Sequence, residues 1–370
     1  MADQSKGKMR FFVPAVAVVA GASILSIVQV ILIVIDGVVP FLSEEGIIRS
    51  LQVTLVGQLV GAIIVALIFI PMFGLRDVKT ESLSSEGFKR TFLTVPIILT
   101  FAFLVNLLIL LLFSLLGWTS ESGYTGVLYL ELEHLANPWN IVVFFAVGCL
   151  GAPLYEELLY RRTAIPLMEK RGMNEGEAIL GSTTLFALAH VPLDLMNGNV
   201  PGAIQHFIGV FVIGLFIGIV YVMTRNVVYP IIIHAIVNGL SFIAYIGTVD
   251  ASLISFALFV GVLYLIMLPI GAYMAYKKLG GWIAKVTENL DNVKSLSFVV
   301  MVIIYLIGIS IFPFLQAIAA LILGDAVLTP EGFTIYLSIL LISYLLIGVI
   351  LFIVALVKSG NESPYQEEGN

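Results

Sequence analysis

The chain is dominated by long apolar runs that polar loops separate, and this pattern restricts the folds open to it. Hydrophobic residues make up 60% of the sequence and charged residues 11%, against about 25% charged in soluble domains. A membrane-spanning helix needs about 20 apolar residues and satisfies its own backbone hydrogen bonds. The runs are continuous rather than alternating, so we predict an all-α, polytopic membrane bundle of about ten transmembrane helices. They lie at about 11–35, 51–73, 91–117, 139–160, 177–193, 201–224, 226–246, 252–276, 297–323 and 333–357.

Basic residues predict how the bundle is oriented in the membrane. They fall in the N-terminal tail, in every second loop and in the C-terminal tail, whereas the other loops hold only Arg49. Cytoplasmic loops are the ones enriched in Lys and Arg. We therefore predict a multi-pass protein of the cell membrane, with an even number of spans and both termini in the cytoplasm.

Composition limits the remaining chemistry. Cys149 is the single cysteine, so an internal disulfide and a zinc–thiolate cluster are excluded. The net charge of −6 is spread over loops and a short acidic tail. We expect the lipid bilayer as a partner and no nucleic acid.

Two adjacent acids lie within the fourth apolar run. Glu156 and Glu157 precede Arg161 and Arg162 in the sequence Pro-Leu-Tyr-Glu-Glu-Leu-Leu-Tyr-Arg-Arg. Ionisable residues at membrane depth are costly and mark function by default. The i,i+4 spacing pairs Glu157 with Arg161, while Glu156 lies about 100° around the helix. Glu156 could then face a cavity and act as a base; alternatively, both acids pair with the two arginines near the cytoplasmic surface.

Two further polar pairs occur at the same i,i+4 spacing in apolar helices. Phe186 precedes His190, and an aromatic ring there could fix the direction of the imidazole. His234 precedes Asn238, which places a base and an amide donor on one face. The alternatives are a histidine bonded to a nearby carbonyl and an asparagine that joins two helices.

Spacing from the loops predicts that these groups converge. Glu156 lies about 17 residues before a turn near 172–173, and His190 lies about 17 residues after it. In an antiparallel hairpin both then lie roughly 25 Å from the tip. His234 follows the basic turn at Arg225 by about nine residues. If the hairpin tip projects into the cytoplasm, three helices meet in the inner half of the bilayer. His206, at the start of the sixth run, is expected to lie at the wrong end for this site.

Glu-Glu-x-x-x-Arg, Phe-x-x-x-His and His-x-x-x-Asn, in this order and in apolar helices, resemble the CPBP family of intramembrane proteases. That family includes the type II CAAX prenyl endopeptidases, which are Rce1-like, and relatives tied to bacteriocin processing. The resemblance covers about residues 139–245. It divides the chain into N-terminal helices (1–138), a catalytic core of about four spans (139–246) and C-terminal helices (247–370).

The resemblance also implies roles for the motif residues. Glu156 and His190 would activate a water, and His234 and Asn238 would stabilise the oxyanion at the scissile carbonyl. The supporting residues would be Glu157, Arg161 and Phe186. The implied substrate is a membrane-anchored peptide or protein, with prenylated CAAX proteins as the family's example, cut near its C-terminus. Charge and location, apart from the resemblance, suggest that a basic rim of Arg161, Arg162, Lys170 and Arg171 would attract a terminal carboxylate.

Alternatives stay open at this point. Glu156, His190 and His234 have the donor types of a zinc site with an open position, so a metalloprotease competes with metal-free water activation. A proton-coupled secondary transporter could use the same ionisable groups as a relay. A membrane scaffold without proteolytic activity could use them for assembly alone.

Overall fold

A computed structural model describes residues 11–38, 40, 42, 46–78, 80–118, 132–196, 198–249, 253–287 and 295–360. Every regular element in these residues is helical, with no strand among them. Ten main helices correspond to the ten apolar runs, which confirms the predicted all-α membrane bundle. They are α1 (Phe12–Val38), α2 (Gly46–Met72), α3 (Ser85–Leu115), α4 (Pro138–Lys170), α5 (Glu175–Ala189), α6 (Val200–Thr224), α7 (Val228–Val249), α8 (Ile254–Thr287), α9 (Ser295–Leu323) and α10 (Pro330–Gly360).

Nine of the ten helices in the described residues are long and apolar enough to cross a membrane. The exception is α5, whose 15 residues extend about 22 Å and fall short of the roughly 30 Å hydrocarbon core. Its buried residues lie on all sides of the helix, as expected for a helix enclosed by others. The end of α5 at His190 therefore lies inside the bundle rather than at its surface.

Helix α4 has α2, α5 and α7 packed around it, and α6 covers α5. Helix α1 packs against α2, α9 and α10, while α8 lies along α3 and α7. The helices before and after the motif-bearing segment thus enclose it on several sides. The polar motif residues of α4 are removed from lipid by this arrangement.

The hairpin between α4 and α5 has a defined turn at the predicted place. Gly172 has a φ of +74°, and the N–H of Met173 donates to the carbonyl of Met168 at 3.2 Å. This pattern is a Schellman motif, which ends a helix with a glycine in the left-handed region. Asn174 then caps α5 through reciprocal bonds of 2.9 Å with Glu177.

Arg225 fastens the turn between α6 and α7 to this hairpin. Its guanidinium donates to Glu169 at 2.8 and 2.9 Å and to Glu175 at 2.6 Å. Partial burial lowers the pKa of Arg225, but the two carboxylates more than offset this and raise it above the usual value. The connection holds the ends of α4, α5 and α6 at one level, which fixes their relative height.

Candidate active site

The two adjacent glutamates occupy a change of helical geometry in α4. A π-helical segment, Val147–Gly151, precedes Pro153, and a second one, Glu157–Ala164, begins at Glu157. Proline lacks an N–H and disturbs the regular ladder, and π segments often occur at functional sites. Glu156 is the last residue before the second π segment. Its side chain is 19% exposed, whereas that of Glu157 is fully buried.

Glu157 joins two helices through its two carboxylate oxygens. Its Oε2 lies 3.2 Å from Nε of Arg161, the partner that the i,i+4 spacing predicts. Its Oε1 lies 2.8 Å from Nδ1 of His234 on α7. No local spacing predicted this second contact. Because a carboxylate accepts hydrogen bonds, we assign the Nδ1 hydrogen to His234.

Arg161 is held from three sides. Besides its ion pair with Glu157, it donates a hydrogen bond from Nη2 to the carbonyl of Gly214 on α6 at 3.1 Å. Its guanidinium carbon also lies 4.3 Å from the ring centre of Phe186, a cation–π distance. A Cβ at Gly214 would come within 2.9 Å of Phe186 and 3.1 Å of Arg161. Glycine at this position therefore lets α6 approach both side chains.

Phe186 lies between the two motif histidines. Its ring centre is 4.9 Å from that of His190 and 5.7 Å from that of His234, in both cases edge to face. His190 Nδ1 is 2.9 Å from the carbonyl of Phe186. Since a carbonyl only accepts, Nδ1 carries the hydrogen, and Nε2 of the neutral ring is the basic nitrogen.

His234 also faces the second glutamate. Its Nε2 lies 3.8 Å from Oε2 of Glu156, which exceeds hydrogen-bond length. Within the described residues, Oε2 of Glu156 is buried and has no hydrogen-bond partner. Buried polar atoms nearly always have a partner. A small group roughly 2.8 Å from both atoms would satisfy both.

Asn238 lies one helical turn beyond His234 and contacts α4 at a different level. Its Nδ2 donates to the carbonyl of Gly148 at 2.7 Å, within the first π segment. A side-chain amide has two N–H donors, and this bond uses one of them. The structure thus brings Glu156, Glu157, Arg161, Phe186, His190 and His234 together, with Asn238 adjoining them on α7.

His206 and Asp194 lie at the site although the sequence reasoning left them out. The His206 ring centre is 5.4 Å from that of His190, and its Nδ1 is 3.0 Å from Oδ2 of Asp194. The expectation that His206 lies at the wrong end was therefore wrong. Because α5 is short, the chain turns back inside the bundle and the start of α6 is level with His190. A count of residues from the two basic turns could have found this, because His190 follows Asn174 by 16 residues and His206 precedes Arg225 by 19 residues.

The suggested basic rim is engaged in other contacts. Arg161 is fully buried beside Glu157, and Arg162 donates to the carbonyl of Leu75 at 3.0 Å. Lys170 donates to the carbonyls that follow α2, and Arg171 donates to the carbonyl of Lys358 near the end of α10. Cations at helix C-termini satisfy the last carbonyls. These residues hold helices together, which corrects their interpretation as a carboxylate-binding rim.

The zinc alternative finds no support in the geometry. In the described part of the chain, no three His, Cys, Asp or Glu side chains are placed to hold a metal ion. Nδ1 of His190 faces the carbonyl of Phe186, and Nδ1 of His234 faces Glu157. Zinc-bound histidines also make such Nδ1 contacts, so the mismatch with a zinc site lies in the placement of the three predicted ligands in the described residues and not in their free nitrogens.

Comparison with known proteins adds one finding. The family model described as type II CAAX prenyl endopeptidase Rce1-like matches residues 138–240. No curated protein and no solved structure matches the chain. The matched segment includes the three motifs and extends from the start of α4 into α7. The resemblance inferred from the motifs is thereby confirmed at the level of similarity: residues 138–240 match the Rce1-like family model and lie within a polytopic membrane protein.

Proposed function

We propose that this protein is an intramembrane endopeptidase that hydrolyses a peptide bond near the C-terminus of a membrane-anchored substrate. Prenylated CAAX proteins are the substrate class that the family description suggests. The observation that carries the proposal is the facing pair of Glu156 Oε2 and His234 Nε2, 3.8 Å apart. Oε2 is buried and lacks a hydrogen-bond partner in the described residues. Oε2 of Glu156 offers an acceptor, and Nε2 of His234, when it carries a proton, offers a donor to a water or to a substrate carbonyl.

In the proposed reaction, Glu156 takes a proton from the water as the water oxygen attacks the scissile carbonyl carbon. General bases of this kind contribute about 10²–10⁴ in rate. His190 assists through Nε2, the nitrogen that its bond to Phe186 leaves basic. When the C–N bond breaks, the proton passes to the leaving amine, so that acid and amine are the products.

The developing oxyanion needs donors, and His234 and Asn238 are proposed to supply them. With Nδ1 of His234 donating to Glu157, a proton on Nε2 gives an imidazolium whose charge Glu157 balances. Arg161 holds Glu157 from the other side. Asn238 contributes its second N–H. Donors aimed at an oxyanion act more strongly in a dry site.

The lengths of the helices support the membrane setting of the proposed reaction. Helix α4 has 33 residues and extends about 50 Å, well beyond the roughly 30 Å hydrocarbon core. Projection of its hairpin end into the cytoplasm would place Glu156 in the inner leaflet. We propose that residues 139–246 carry the chemistry, with both termini in the cytoplasm and the protein in the cell membrane.

The test is cleavage of a quenched, prenylated peptide by the purified protein in lipid nanodiscs. We expect Glu156→Gln and His190→Ala each to lower kcat at least a hundredfold. Glu86→Gln is the matched control, because Glu86 forms an exposed i,i+4 pair with Arg90 on α3; it should cleave as the wild type does. Wild-type rates in both site variants would overturn the proposal.

A further inference from the structure

A second carboxylate–imidazole pair lies beside the proposed site. Oδ2 of Asp194 is 3.0 Å from Nδ1 of His206, and the His206 ring is 5.4 Å from that of His190, edge to face. Because the carboxylate accepts, Nδ1 of His206 carries the hydrogen. The order Asp194, His206, His190 forms a continuous chain from a carboxylate to a proposed water-activating residue.

The connection between α5 and α6 holds this pair in place. Asp194 belongs to the short helix Pro192–Met196, and its carbonyl accepts from the N–H of Asn199 at 2.9 Å. Asn199 in turn caps α6, where its Oδ1 accepts from the N–H of Gly202 at 2.9 Å. Both partners are therefore attached to fixed backbone, and the ring of His206 has a defined position.

Burial indicates that the pair is more than a surface contact. The side chain of Asp194 is 5% exposed and that of His206 is 20% exposed. A carboxylate removed from water is costly unless it is bonded. Joining two helices would not require a titratable pair in contact with a third imidazole.

His190 depends on its neighbours for its orientation. The carbonyl of Phe186 accepts from Nδ1 of His190, and the ring centres of the two residues are 4.9 Å apart. The ring of His206 makes the second ring contact with His190. Both contacts are edge to face, at interplanar angles of 71° and 69°. A ring held by two aromatic neighbours keeps its basic nitrogen in one direction, which proximity effects in catalysis require.

We propose that Asp194 and His206 are positioning residues: Asp194 holds His206, and His206 holds the ring of His190 in its reactive orientation. This inference rests on the proposed function, because it needs His190 at the reacting centre. Neither residue is assigned a contact with substrate. Partners that orient a functional histidine typically affect activity about 10- to 100-fold.

The experiment compares Asp194→Asn, His206→Gln and the double variant with the wild type in the peptide-cleavage assay. Asp36→Asn is the matched control, because Asp36 is a carboxylate of similar exposure, 7%, and pairs with Arg49 in α2. We expect kcat to fall about tenfold or more in each site variant, with KM changed less than about twofold. The kcat of the double variant should be no lower than that of the single variants, because both changes break the same chain of contacts.

A second measurement is independent of cleavage. The chain has four histidines, so the imidazole nitrogen resonances of ¹⁵N-histidine-labelled protein can be assigned by substitution. The His190 resonances should move in Asp194→Asn and His206→Gln and stay unchanged in Asp36→Asn.

The outcomes separate the two levels of the proposal. If His190→Ala abolishes cleavage while both new variants keep wild-type kcat and unshifted His190 resonances, the positioning role is overturned and the proposed function stands. If His190→Ala cleaves at the wild-type rate, the catalytic role of His190 is lost and the positioning role is overturned with it. An equal fall of kcat in Asp36→Asn would also overturn the positioning role, because a general loss of stability would then explain the fall in all the variants.

Discussion

Arg161 and Glu157 form an ion pair with no exposed side-chain surface on either partner. The same residue types at the same i,i+4 spacing, Arg90 and Glu86, are 42% and 59% exposed on α3. A surface pair contributes about 0–1 kcal/mol. Removing one partner of a buried pair leaves an uncompensated charge and costs about 3–5 kcal/mol.

This contrast gives the first prediction at the residue scale. Arg161→Met should lower the free energy of unfolding by about 3 kcal/mol or more, because Glu157 is left buried with His234 as its remaining partner. Arg90→Met should change it by less than about 1 kcal/mol. Denaturant unfolding in mild detergent measures both. Equal stability of the two variants would show that the buried pair is not needed for the fold.

The second residue-scale prediction concerns the proposed oxyanion donors. Asn238→Ala should lower kcat by about 10²–10³ with little change in KM, because the lost donor acts only in the transition state. Asn140→Ala is the control. Asn140 is a buried asparagine on α4, and its Nδ2, like that of Asn238, donates to a backbone carbonyl, here that of His134 at 3.1 Å. If both variants lose the same activity, the effect of Asn238 is structural.

At the element scale, the close approach of α6 to α4 and α5 organises the site. The absence of a side chain at Gly214 lets Phe186 and Arg161 contact each other beneath α6. Phe186 touches both motif histidines. A displacement of α6 at this crossing would therefore move the rings that orient the site.

We predict that Gly214→Ala lowers the free energy of unfolding by about 1–3 kcal/mol and lowers kcat at least tenfold. The new Cβ would lie 2.9 Å from the Phe186 ring, so the ring must move. Gly209→Ala on the same helix meets nothing within 4 Å. Gly209→Ala should keep full activity, and its free energy of unfolding should rise by up to about 1 kcal/mol because alanine favours the helix. A Gly214→Ala protein as active as Gly209→Ala would contradict this account of the crossing.

The sequence predicts much of this element-level organisation and little of its detail. Continuous apolar runs define ten helices, and i,i+4 spacing predicts the pairing of Glu157 with Arg161 because both depend on local geometry. The contact of His234 with Glu157 joins residues 77 positions apart, and no local pattern reports it. His206 was misplaced because a full membrane span was predicted for α5, whereas its 15 residues end inside the bundle. The basic residues near the hairpin were misread because their carbonyl partners lie in distant helices.

At the scale of the whole molecule, the flanking helices are attached to the Rce1-like domain by polar contacts. The hydroxyl of Tyr160 on α4 is 2.7 Å from that of Tyr305 on α9. The hydroxyl of Tyr155 donates to the carbonyl of Gly21 on α1 at 2.6 Å. Both tyrosines lie within two turns of Glu156. The outer helices thus hold the part of α4 that carries the two glutamates. The orientation of the whole bundle decides which side of the membrane that part faces.

The last prediction concerns that orientation. The distribution of basic residues predicts that the α8–α9 connection lies in the cytoplasm and that the start of α4 lies outside. In a Cys149→Ser background, which removes the single native cysteine, an exposed residue at each place can be replaced. Trp139→Cys should react with a membrane-impermeant maleimide in intact cells, and Lys278→Cys should react only in inside-out vesicles. Both side chains are exposed in the structure, so burial would not mask labelling. Cys149→Ser alone is the unlabelled control. Labelling of Lys278→Cys in intact cells would show that the bundle has the opposite orientation. The hairpin of α4 and α5, and with it the approach to Glu156, would then lie on the outer side.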